Sequence, residues 1–126
     1  MDRQKLIALT KTLDQIGVPH GKLGSRYLKL AIEACMEDLG LVNKVTKGLY
    51  PQIAKKCDTT PNAVERGIRY VIGQAWKRGN LEVITNIFGY TVDTEKGKPT
   101  NSEFIACICD FLNLYDEEIA SGVYKF

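Results

Sequence analysis

With 126 residues, 44% hydrophobic and 25% charged, the chain has the balance of one compact domain (residues 1–126, core about 5–112, tail 113–126) that buries a core unaided. No apolar run reaches the roughly 18–20 residues that span a bilayer, and Asp2, Arg3, Lys5, Lys11 and Asp14 break any secretory apolar stretch, so a cytoplasmic protein with no membrane partner is expected. The formal charge is only +2, yet residues 44–78 carry eight cations against Asp58 and Glu65, a local +6, while residues 93–126 carry a local −4; such a patch is either a field for a polyanion or a merely solvated basic face.

Leu6, Leu9, Leu13 and Ile16 recur at spacings of three and four, which predicts a first helix near residues 3–16 ending at Gly17. Val18 to Gly24 has the composition of a loop. Leu28, Ile32, Cys35, Met36 and Leu39 share one face of a second helix, with Gly40 as its expected C-cap and a connection over 41–47. Residues 49–57 predict a short helix in which Pro51 is tolerable only in the first turn. Asp58-Thr59 makes a turn, and Thr60-Pro61 supplies a cap oxygen and a preset first helical residue. The helix so opened runs to about Arg78, and Asn80 caps another through Phe88. Gly89–Pro99 reads as a loop or short hairpin, and Thr100 with Glu103 forms a capping box for a last helix through about Tyr115, with Phe104, Ile105, Ile108, Phe111 and Leu112 inward. The expected class is all-α, a compact bundle of about five to six helices.

The helices at 49–57 and 60–78, joined by Asp58-Thr59, have the form of a helix-turn-helix. At about 100° per residue, Val64, Ile68, Val71, Ile72 and Ala75 fall within one arc, with Asn62, Glu65, Arg66, Arg69, Tyr70 and Lys77 largely on the other side. The polar side suits a major groove: an arginine fork matches guanine O6 and N7, Glu65 can accept from cytosine N4, and Asn62 lies near the helix N-terminus. The alternative is a surface helix whose arginines are solvated or paired with Glu65. Lys55, Lys56, Thr60 and Lys77 are candidate phosphate contacts, with Lys44, Lys47 and Arg78 behind them. Trp76, at the boundary of the two faces, is expected to pack on a neighbouring helix rather than touch DNA.

Other chemistry finds no constellation. Cys35, Cys57, Cys107 and Cys109 include no CxxC pair, Cys107 and Cys109 would face different ways on a helix, and His20 is the lone histidine. Reduced thiols, no metal and no cofactor are expected. There is no Gly-rich phosphate cradle, nucleophile elbow or zincin pattern, and the neighbours Glu37 and Asp38 point about 100° apart, so an enzyme is not expected.

The blocks Leu49-Tyr50-Pro51-Gln52-Ile53-Ala54-Lys55-Lys56, Val64-Glu65-Arg66-Gly67-Ile68-Arg69, Ala75-Trp76-Lys77-Arg78-Gly79-Asn80, Phe88-Gly89-Tyr90-Thr91-Val92 and Lys98-Pro99-Thr100-Asn101-Ser102-Glu103-Phe104-Ile105-Ala106 resemble, in the same order, the C-terminal effector domain of the master response regulators of sporulation initiation. The resemblance covers about residues 5–112. It implies an all-helical domain that binds a TGTCGAA-type promoter box in duplex DNA, often as tandem copies. It implies base contacts from Glu65, Arg66 and Arg69, with Asn62 and Tyr70 beside them; Ala63 stands where a basic residue is expected, and Tyr70 where histidine is. It also implies a surface for the housekeeping sigma factor of RNA polymerase over Gly79–Val92, where Val83, Thr85 and Phe88 are the contact candidates. The family's phosphorylated receiver domain is not among these residues, so DNA binding independent of phosphorylation is expected. A helical module whose main partner is the transcription machinery, with DNA secondary, is the alternative.

Overall fold

The computed structural model describes residues 2–78, 80–89 and 97–114. They form α1 (Arg3–Ile16), α2 (Leu23–Glu37), a 3-10 turn (Leu39–Asn43), a π-helical turn (Val45–Leu49), α3 (Tyr50–Lys56), α4 (Pro61–Arg78), α5 (Leu81–Phe88) and α6 (Asn101–Leu114), with no strand among them. The class is all-α, as expected.

Local sequence sets the ends of α1. Asp2 accepts from the Lys5 amide at 2.8 Å. At the other end Gly17 takes φ 108, and the Val18 and Gly17 amides reach back to the carbonyls of Leu13 and Asp14 at 3.0 and 3.1 Å. This is a Schellman stop, and it buries Val18 beside Leu13. Two expectations in this part of the chain need correction. Leu23 and Gly24 belong to α2 rather than to the loop, and α2 ends at Glu37 rather than at a Gly40 cap. The Asp38 carboxylate takes the Gly40 amide at 3.1 Å, which starts the 3-10 turn and leaves Leu39 55% exposed instead of inward.

Helices of seven to eighteen residues are marginal alone, so packing holds them. A single buried cluster draws on every α-helix, from Leu9 and Ile16 through Leu28 and Ile32 to Ile53, Ile68, Ile84, Phe104 and Ile108. Each fully buried Leu or Ile contributes about 1.5–3 kcal/mol. The tightest approach joins α2 to α4: a Cβ on Gly24 would stand 2.0 Å from the Gly67 carbonyl oxygen, so only glycine lets these backbones meet. α6 packs on α1, α2, α4 and α5. Its capping box is complete, the Thr100 amide donating to Glu103 and the Glu103 amide to Thr100 Oγ1, each at 3.1 Å.

Candidate nucleic-acid interface

α3 begins where the π-helical turn runs straight on, since Leu49 is already in the helical region, and Pro51 falls in its first turn. It stays helical because Tyr50, Ile53 and Ala54 are buried against α4. It stops where Asp58 takes φ 55, a left-handed conformation usual for glycine, while the Thr59 amide closes on the Ala54 carbonyl at 2.9 Å. Thr60 Oγ1 then accepts from the Ala63 amide at 3.1 Å, and Pro61 opens α4.

α4 divides as its periodicity requires. Val64, Ile68, Val71, Ile72 and Ala75 are each fully buried, and they are the buried residues of the helix. Asn62, Arg66, Arg69, Tyr70 and Lys77 are exposed, as are Lys55, Lys56 and Thr60 just before them. Glu65 is half-buried, and its Oε1 lies 3.3 Å from Arg69 Nε, one turn on. That pair is worth only a few tenths of a kcal/mol at such exposure, so it orients Arg69 without locking it. An open cleft of about 600 Å³ follows the outer side of α4 past Arg66, Arg69, Tyr70, Gln74 and Lys77. All five of these side chains can donate hydrogen bonds to an anionic surface, and no acid lines the cleft.

Two residues that sequence reasoning did not assign to the interface belong beside it. Lys98 lines the same cleft, with Nζ 3.4 Å from the Arg69 carbonyl oxygen and 3.3 Å from where a Gly73 Cβ would be. Asn101 is buried at the start of α6 and donates to Tyr50 Oη at 3.0 Å and to the Glu65 carbonyl at 3.2 Å. One amide thus ties α6 to both helices of the motif. Burial pushes the Tyr50 hydroxyl above its ordinary range even though Asn101 donates to it, so it stays neutral. The sequence shows Lys98 and Asn101 only as flanks of a capping box; their contacts reach back 29 and 36 residues or more to α4 and α3, where no periodicity points.

The residues expected to meet a sigma factor do not share one surface. Thr85 is exposed and Val83 half-buried, whereas Phe88 is 2% exposed. Its ring lies 5.3 Å from those of Trp76 and Phe104, so the structure gives Phe88 to the core. Trp76 is half-buried in that aromatic cluster, as its boundary position implied. Asn80 caps α5 and also donates to the Gln15 carbonyl of α1 at 3.1 Å. Tyr90, Thr91 and Val92, part of the same expected surface, and most of the expected Gly89–Pro99 loop or hairpin lie outside the described residues, as do Gly79 and Tyr115 onward.

The four cysteines are free. Cys35 and Cys109 are buried together between α2 and α6, where the hydrogen bond with Cys35 and then burial hold the Cys109 thiol well above its ordinary value. Among the described residues no group of three His, Cys, Asp or Glu side chains can hold a metal ion, and no helix is long and apolar enough to cross a membrane.

A capped helix-turn-helix whose second helix buries one arc and turns cations outward is now in place. Residues 9–112 match the family described as "Sporulation initiation factor Spo0A C terminal". The chain belongs to that family. It is therefore a DNA-binding regulatory domain of sporulation type, from a family of regulators rather than enzymes. The match spans α2, α3, α4 and α5 entire, and reaches to the last buried turn of α6.

Proposed function

We propose that α4 enters the major groove of a promoter box of the TGTCGAA type, with Asn62, Glu65, Arg66, Arg69 and Tyr70 at base edges. Lys55, Lys56, Thr60 and Lys77 hold the flanking phosphates, since they are exposed just before α4 and on its last turn. The observation that carries this reading is the clean division of α4 into a fully buried apolar arc and an outer side bearing Arg66 and Arg69. Binding needs no phosphodonor, and tandem boxes take two copies.

Fluorescence anisotropy of labelled duplexes, one with the box and one with it scrambled, tests this across a salt series. The box is expected to win, with a steep negative salt slope. Arg66→Ala is expected to cost about 1–3 kcal/mol and to relax base preference, whereas Lys55→Ala weakens both duplexes alike and flattens the slope. Equal binding to both duplexes by the unaltered chain would sink the assignment of the box. A large gain on treatment with a small phosphodonor would sink phosphorylation independence.

A sigma-factor contact on α5 is a second part of the reading. The exposed Glu82, Thr85 and Asn86 support it, since Phe88 faces inward. Thr85→Glu is expected to abolish sigma binding and leave box affinity unchanged; retained sigma binding would count against this surface.

A further inference from the structure

The outer stripe of α4 carries a residue that brings no side chain of its own. Gly73 lies between Arg66, Arg69 and Lys77 on that stripe, about 18 Å along the helix from Pro61. In a docked recognition helix the first turns read bases, and a point that far along has reached the wall of the groove, where phosphates stand. The gap at Gly73 is filled from outside the motif, because the Lys98 ammonium lies across it. Lys98 is exposed, and its contact in the free protein is a 3.4 Å hydrogen bond to the Arg69 carbonyl, which a phosphate oxygen would outcompete. Its place is fixed because Asn101, three residues on, is buried and bonded to α3 and α4.

We propose that Lys98 is a DNA-phosphate contact delivered to the second half of the recognition helix by the start of α6. This rests on the DNA-binding reading above and adds to it a contact from outside the helix-turn-helix. As a point charge, the ammonium adds grip without base preference. Releasing one counterion changes the salt slope by about 0.9, which at 0.1 M salt is about eightfold in affinity.

The test is the same anisotropy series on the intact chain with Lys98→Gln, Lys98→Arg and, as a control for net charge, Lys11→Gln on the exposed side of α1. Lys98→Gln is expected to weaken both duplexes about eightfold at 0.1 M salt, to lower the slope by about one and to keep the preference for the box. Lys98→Arg restores the slope, and Lys11→Gln matches the unaltered chain. An unchanged slope in Lys98→Gln, with Arg66→Ala still impaired, overturns the Lys98 contact alone. So does an equal loss in Lys11→Gln, or a loss of box preference without a change in slope. Failure of the unaltered chain to bind either duplex at low salt overturns the DNA-binding reading itself and Lys98 with it.

Discussion

The two ends of α4 are held by different physics. Near its start, the Thr60 cap and the Asn101 bonds to Tyr50 and Glu65 hold the helix through directional polar contacts. Near its end Trp76 sits in a cluster with Phe88 and Phe104, where ring contacts 5.3–6.1 Å apart supply area and little direction. On the proposed reading, directional bonds suit an end that presents Arg66 and Arg69 in a chosen register, and an aromatic cluster suits an end that keeps the bundle closed. Stability and DNA affinity should therefore respond differently to damage at the two ends.

The aromatic end should show the largest loss of stability. Phe104 is fully buried beneath both other rings, so Phe104→Ala removes its transfer free energy and leaves a cavity. A cost of about 3–5 kcal/mol is expected in urea unfolding. The fraction that remains folded should bind the box with unaltered preference. Altered preference at full folding would mean that the aromatic end also sets the register of α4.

The polar end should give the reverse pattern. Asn101→Ala leaves the buried Tyr50 hydroxyl without its partner, at a cost of about 1–3 kcal/mol. It also frees the start of α6, so DNA affinity should fall at temperatures where the variant is fully folded by circular dichroism. If Asn101→Ala lost stability and kept full affinity, the polar end would be only another brace.

What the sequence reveals follows the same line. The buried arc of α4, the Thr60 and Thr100 caps and the inward set of α6 were legible because each is written within one helix, as a period or a three-residue spacing. Phe88 was legible in the same way, since Glu82, Thr85 and Asn86 share one side of α5 and Phe88 lies opposite beside Ile84; it was the family resemblance, not the period, that drew Phe88 to the sigma-factor surface. The end of α2 misled instead because Leu39 continues the heptad-like pattern while the Asp38 carboxylate turns the chain. The Gly24–Gly67 approach and the reach of Lys98 across Gly73 are contacts between distant segments, and glycine leaves no periodic trace of what comes near it.

The smallest expected effect probes the joint before the polar end. Asp58 holds φ 55 at the C-terminal stop of α3, a conformation that costs an L-residue roughly 1 kcal/mol and costs glycine little. Asp58→Gly relieves that strain but gives the unfolded chain more freedom to lose, so a net gain of only about 0.5 kcal/mol is expected in urea unfolding. It also removes an acid next to Lys55, Lys56 and Thr60, so the affinity for both duplexes should rise slightly with box preference intact. A loss of stability would mean that the Asp58 side chain itself supports the turn. The angle between α3 and α4 would then depend on a side-chain contact rather than on backbone conformation alone.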